Sequence, residues 1–522
     1  MADVKLVGGV AARGNCEPRK PRDHQHHHHH HPEPDRPQET PPFDLTTTTI
    51  FVRPDGSNEH GNGSLHKPFR TFQHAIRQVP SIPAPGASFV IDPTGITETF
   101  PSDYQLPVIQ TSTIGAFTGA PSPFPFYRFQ SGVTIRAIPR LTRLLSPADA
   151  VITVADGAVV SSDPVSNLVT LTISSPRAGW GANALKGKQL IRTVQSSTSN
   201  LASCSIYGSD TTHLFLCNDA VSLNGGNGAL GLAAGEVLQI VEPSATFIGS
   251  PPTGNNLWGI SSWGINAPVF QGIHFVAPPG LYAFALGNVD IPAIELCVID
   301  GFLSVSTPNG LEIFGTTMTT SYDLEPVPGL LTASLFMNFA LPQSYFYIAA
   351  FLQTFVGTVF DDTCPTVTSG FFFAPVGSNW GFQNVLFQGS MGDAIHADYG
   401  HWNLTNVAIN NTTGIAILVD TGPTDVTLTN VGGTGNTGFG LVVDDGAQVR
   451  VTDTATNVGE DSGGMQVGGL PARLWADFYA NTPVGNQYDL VTPFVLNVAS
   501  GEFTPQGTDS AGACTGSRVF QR

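Results

Sequence analysis

The sequence predicts an all-β protein: a right-handed parallel β-helix, a single-stranded solenoid with an N-terminal capping helix and a small inserted antiparallel β module. Three observations carry this. First, one pattern is written three times across 384–452, opening at Asn384, Asn406 and Asn430, so that the copies are 22 and 24 residues apart. Each opening Asn is followed by Val385, Val407 or Val431, then by Gly392, Gly414 or Gly438, then by Ile395, Ile417 or Leu441. Each copy then reaches Asp398, Asp420 or Asp444, with Gly400, Gly422 or Gly446 two residues later. Self-similarity at this period marks a solenoid whose unit cannot bury its apolar face alone. Second, within each copy the apolar residues alternate at period two and are rich in Val, Ile and Thr, which selects strand over helix. Third, only 12% of residues are charged and 57 are Gly. That is about half the usual charged share, and it fits a turn-rich β protein with a neutral polar surface.

The charge is placed unevenly. Residues 193–449, between Arg192 and Arg450, contain no Lys or Arg but carry 18 of the 40 acidic residues. The remaining 22 acids match the 22 bases, so the net charge of −18 arises within that stretch. A cation-free, acidic surface repels nucleic acid and acidic membranes, which excludes both as partners of this region, and it disfavours a strongly anionic polysaccharide. No apolar run reaches the roughly 18 residues of a membrane span. The N-terminal residues lack the apolar core of a secretory signal. The six cysteines are scattered, and Cys204 and Cys217 are expected as buried free thiols rather than as a hairpin disulfide.

Taken in order, residues 1–48 form a polar, Pro-rich tail expected to be disordered, in which His24 and His26–His31 have the composition for transition-metal affinity. Residues 49–156 hold the N-terminal cap and first coils. Here a strand leads into Asp55, Gly56 and Ser57, then Gly61 and Gly63, then Pro68, Phe69 and Thr71, and a short amphipathic helix containing Ala75 and Ile76. This opening resembles that of the pectin-lyase-like β-helix superfamily, and the resemblance implies that the helix plugs the open end of the solenoid. Covering that end is also what unpaired backbone requires. The superfamily includes lyases, hydrolases, adhesins and viral spikes, so the resemblance implies a fold and no single activity.

Residues 157–245 break the period and read as the inserted β module. Gly179, Trp180, Asn183, Leu185, Gly187 and Lys188 there resemble a segment of phage-like β-helix proteins. The main parallel β-helix is expected over 246–468, and 469–522 as a C-terminal cap whose wording again resembles the phage-like group.

The candidate catalytic residues are Asp398, Asp420 and Asp444. In register they would stand in a column about 4.8 Å apart, near the carboxyl separations of glycosidases. Each also precedes x-Gly, which is ordinary turn chemistry. Asp361, Asp362 and Asp445 are candidate calcium ligands, since Ca²⁺ takes carboxylate oxygens; no cofactor is required. Trp380, Trp402, His396 and His401 are candidate glycan-binding residues, the indoles by stacking on sugar rings. A pectate-lyase-like mechanism would need a basic residue that the repeat body lacks, and the Gly-His-Gly of polygalacturonase-like hydrolases is only half present at Gly400-His401. The expectation is therefore a structural β-helix protein outside the cell or on a virion, spike- or adhesin-like, binding a surface glycan. A homotrimer is consistent with the resemblance. A polysaccharide-degrading enzyme using the Asp column and a purely structural solenoid are the alternatives.

Overall fold

The computed structural model describes residues 47–81, 87–101, 104–107, 132–162, 168–193, 202–217, 237–250, 258–263, 269–277, 282–287, 293–306, 311–319, 322–324, 329–337, 346–348, 352–361, 367–369, 379–389, 393–437, 440–443 and 447–451, with six short strands between 465 and 521. All belong to one unit, Phe43–Arg522. The His-rich tail lies outside the described residues.

Among the described residues, 33 strands form one hydrogen-bonded system and eight form a second. The first is a parallel β-helix. Its strands pair with those one coil away rather than with their chain neighbours, which leaves three ladders. Sheet I runs through Val269–Gln271, Ala293–Glu295, Leu311–Phe314, Gly329–Thr332, Leu352–Val356 and Asn379–Gln388. Sheet II runs through Ala245–Gly249, Ile273–Val276, Val298–Asp300, Thr317–Met318, Leu335–Met337 and Val359–Asp361. Sheet III runs through Trp258–Trp263, Tyr282–Gly287, Phe302–Ser306 and Tyr322–Leu324. In two coils, all three sides are covered by one long continuous strand: Ile395–Asn410 and Ile417–Gly432 each turn two corners without breaking.

The corner between sheets I and II explains the opening Asn of each repeat. One residue per coil turns it with positive φ: Gly272 (68°), Leu296 (51°), Gly315 (54°), Ala333 (51°), Gly357 (56°), Asn384 (54°), Asn406 (52°) and Asn430 (51°). This left-handed conformation is open to Gly and tolerated by Asn. The Asn residues also bond to one another: Asn406 donates to Asn384 at 3.0 Å and Asn430 to Asn406 at 2.9 Å. Just inside the corner stand Cys297, Thr316, Ser334 and Thr358, all buried, with the hydroxyls donating to backbone carbonyls.

Inside the coils the aromatics stack from rung to rung: Phe355 on Phe382 at 4.9 Å, Phe360 on Phe387 at 4.7 Å, and Trp380 on Trp402 at 4.6 Å. In-register stacking places like residues over one another, and Phe336, Phe355 and Phe360 of the Phe-rich stretch supply core.

The helix Phe72–Ile76 buries Phe72, Ala75 and Ile76 against the end of this core, with Phe72 4.8 Å from Phe247. Thr71 caps it by accepting from His74 N–H, and the Glu98 carboxylate of the first coil accepts from the Phe72 and Gln73 N–H groups. This is the plug that the resemblance implies.

The second system is an eight-stranded antiparallel sheet. It includes the predicted module of 157–245 and also takes in Arg140–Leu141 and Val151–Thr153. It leaves the solenoid at the corner between sheets I and II and returns at Ala245. The module then lies along the same corner of later coils. Gln189 donates to Cys297 O at 2.8 Å, and Ser205 N–H to Ala333 O at 3.0 Å. Leu168 and Cys217 pack with Leu335, Val359, Leu386 and Ala408, which lie on the outward side of sheet II. The corner residues beneath the module, Leu296, Gly315 and Ala333, are apolar or small, and Asn appears at the 384, 406 and 430 corners. Cys204, Cys217 and Cys297 are buried free thiols, and burial pushes Cys297 up to about 12.

Sheet I does not stop at the expected boundary of 468. Arg473–Ala476 pairs in parallel with Gln448–Val451, and Arg518–Gln521 pairs with Arg473–Ala476. In this tail Phe494–Asn497 pairs antiparallel with Glu502–Pro505 and, at Val495, with Asp489.

Candidate functional site

The repeat brings the predicted aspartates to the corner where sheet III turns into sheet I. Asp398 and Asp420 are register partners on adjacent rungs, a spacing of about 4.8 Å between strands. Just past them the ladder shifts, with Gly400 opposite Thr424, because the 417–432 strand carries two extra residues there. The pairing of Val419 with Val443 ends one residue short of Asp444, which lies outside the described residues.

Beyond that corner, sheet I presents one polar outward face over four rungs. The strands alternate strictly. Trp380, Phe382, Trp402, Leu404, Val426, Leu428 and Val449 point into the core. The intervening positions point out and fall into columns by register. One column is Asn379, His401, Asp425 and Gln448; the next is Gly381, Asn403, Thr427 and Arg450; the third is Gln383, Thr405 and Thr429. Asn379, Gln383, His401, Asn403 and Arg450 are exposed, and Asp425 and the three threonines are half-buried. His401 Nδ1 lies 3.6 Å from the Asp425 carboxylate, with the two side chains 58% and 48% exposed. The face thus offers planar amides, hydroxyls, one imidazole and one carboxylate on a rigid lattice, with no cation until its fourth rung. Such groups hydrogen-bond hydroxyl-rich ligands through both donors and acceptors.

The other predicted residues are placed differently. Trp380 and Trp402 are 1% and 0% exposed. Their faces are covered by each other and by Phe382, so they form the floor beneath the polar face and leave no indole for a sugar to stack on. His401 is on the face. His396 is half-buried on sheet III, opposite Thr368 and Leu418. Asp361 is 2% exposed and its carboxylate is paired with the Lys186 ammonium of the module, which removes it from a calcium site. Asp362 and Asp445 lie outside the described residues. Among the described residues, no three His, Cys, Asp or Glu side chains are grouped to hold a metal ion.

Asp425, Asn403, Thr427 and Arg450 were not singled out in the sequence, although the signal was there. The copies end HWNLT, DVTLT and QVRVT, and reading every second residue of each gives the outward columns.

A further polar cluster stands on sheet II. His274 Nε2 lies 2.6 Å from the Asp300 carboxylate, which also accepts from the Thr319 hydroxyl at 2.8 Å. Burial pushes the Asp300 carboxyl up, but the hydrogen bond and charge of His274, with the Thr319 hydroxyl, outweigh it and hold Asp300 below its usual range.

No protein-family profile matches the chain, and no curated protein matches it. Solved structures do. The tailspike protein gp49 of Pseudomonas phage LKA1 is similar over 79% of this chain and 74% of its own, at 12% identity and a TM-score of 0.31. XylC, solved in complex with xylose, is similar over 77% of this chain and 70% of its own, at 10% identity and a TM-score of 0.22. The tailspike gp61 of Pseudomonas phage phi297 is similar over 81% and 73%, at 9% identity and a TM-score of 0.22. At these scores the fold assignment rests on the strand pairing itself. That pairing gives the parallel β-helix with a plug helix that the pectin-lyase-like resemblance implies, and no helix among the described residues is long and apolar enough to cross a membrane.

Proposed function

We propose that this protein is a surface β-helix, spike- or adhesin-like, acting outside the cell or on a virion, and that it binds a hydroxyl-rich glycan along the outward face of sheet I. The observation that carries the reading is the outward polar lattice of exposed Asn379, Gln383, His401 and Asn403 with half-buried Asp425 and Thr427, laid over a stacked aromatic floor. A rigid face costs little ordering on binding. Its amides and hydroxyls both donate and accept, as a sugar's do. Self-association into a trimer belongs to this reading.

The test is a glycan array probed with the wild-type chain and with a variant carrying Asn403→Ala and Thr427→Val. Both substitutions are on the outside of the sheet, so the melting temperature should hold. Binding to a defined subset of glycans, lost in the variant, supports the reading. An array on which the two proteins behave alike contradicts it.

The backbone register of Asp398 with Asp420 supports a second reading, hydrolysis of the bound glycan by these two aspartates. Release of reducing ends by wild type but not by Asp420→Asn would establish it. No release by either protein would leave those aspartates as corner residues.

A further inference from the structure

The cations of this chain are distributed in a way that the glycan-binding reading alone does not explain. Four of those in the module are engaged: Arg140 and Lys188 both hold Glu242 at 3.0 Å, Arg177 holds Asp156, and Lys186 holds Asp361. Arg450 is the first cation after 257 residues (193–449) that contain none. It is exposed, it points outward from sheet I, and it shares a column with Asn403 and Thr427. None of the described residues forms an ion pair with it. Asp425 stands one rung back and one column over in register and forms no ion pair with it. The face is therefore polar and uncharged or acidic over three rungs and cationic at the fourth.

We infer that the face selects a glycan whose chain is neutral over the 379, 401 and 425 rungs and carries a single carboxylated sugar at Arg450. This rests on the glycan-binding reading and specifies its substrate class. The guanidinium fork accepts a carboxylate bidentately, a charge-assisted contact that hydroxyls do not make. A carboxylate on every sugar is disfavoured by the same geometry, because it would bring like charge against Asp425, which is 48% exposed, on rungs that carry no Lys or Arg before Arg450. The ligand implied is sparsely acidic, distinct from both a neutral homopolymer and a polyuronate.

The experiment uses full-length protein and oligosaccharides in matched pairs, each uronate-containing member beside its carboxyl-reduced, neutral counterpart. Hyaluronan, glucuronoxylan and xanthan fragments supply the sparsely acidic pairs, and polygalacturonate fragments the fully acidic one. The expected result is at least one sparsely acidic oligosaccharide bound about tenfold more tightly than its reduced form, the scale of one charge-assisted contact. That preference should shrink with added salt. Arg450→Gln should abolish the preference, so that the acidic member binds no more tightly than its reduced form, and Arg450→Lys should keep part of it. Equal binding of acidic and reduced members, a preference that survives Arg450→Gln, or tightest binding of polygalacturonate would each overturn the inference while leaving the glycan reading intact. Binding of no member of any pair would overturn both.

Discussion

Asn406 does two jobs at one position: it takes a left-handed backbone conformation at φ 52° and bonds to the Asn above and below it. Replacing it with Ala keeps the strained φ and removes both side-chain bonds, a cost of about 1–2 kcal/mol. Asn406→Gly relieves the backbone but not the ladder, so thermal unfolding should rank wild type, then Gly, then Ala. Two carboxylates respond to pH in opposite directions. Burial pushes Glu98 above its ordinary value of 4.5, only partly opposed by the Gln73 and Phe72 N–H groups. A raised folded value contributes stability at low pH that is lost as pH rises through it, so acidification from neutrality should tighten the plug. Asp300 is held below its ordinary value of 3.8. Its contribution is present above that value and disappears only as pH falls beneath it. Melting curves of Glu98→Gln and Asp300→Asn across pH 3–7 should each flatten the matching limb; an unchanged profile in either variant would show that the assigned contact does not form.

At the level of elements, the module and the solenoid are joined by hydrogen bonds and an apolar contact and, among the described residues, by the charge pair of Lys186 with the buried Asp361. Lys186→Met leaves the Asp361 carboxylate buried without its counterion and should destabilise the protein by about 3 kcal/mol, the lower end for such pairs because Lys186 is 26% exposed. Adding Asp361→Leu removes the stranded charge and should restore most of that loss in a denaturant titration. If the double variant is no more stable than the single one, the pair is not what holds the contact. Trp402→Ala should cost about 3–5 kcal/mol through the cavity it opens beneath the polar face.

These elements also show what the sequence could and could not say. The coils of 384–452 were legible because period-two alternation and a corner Asn that tolerates positive φ, at 384, 406 and 430, are local demands. The plug helix was legible for a similar reason, since Thr71 and the apolar Phe72, Ala75 and Ile76 lie within six residues of chain at helical spacing. The burial of Trp380 and Trp402 depends on which way the alternation faces, and reading two tryptophans as sugar platforms set that phase wrongly. The pairing of Asp361 with Lys186 joins residues 175 apart in the chain, across a contact that no periodicity encodes. The extension of sheet I through Arg518–Gln521 was hidden because those rungs pair across long intervening segments.

For the molecule as a whole, the module, the polar face and the acidic surface belong to one division of labour. The module covers the outward side of sheet II over Leu335, Val359, Leu386 and Ala408, which leaves sheet I as the polar surface presented over the rungs from 379. If the protein assembles as a trimeric spike, sedimentation should give three times the chain mass of 55.0 kDa, with a chain-mass particle arguing against that assembly. The most direct test of the central claim is calorimetric titration of one array-selected glycan into three proteins: wild type, Asn403→Ala on sheet I, and His274→Ala on sheet II. Sheet I binding predicts affinity reduced about tenfold or more by Asn403→Ala and unchanged by His274→Ala, at equal melting temperatures for wild type and Asn403→Ala. The reverse pattern, with binding lost on sheet II and intact on sheet I, would contradict it.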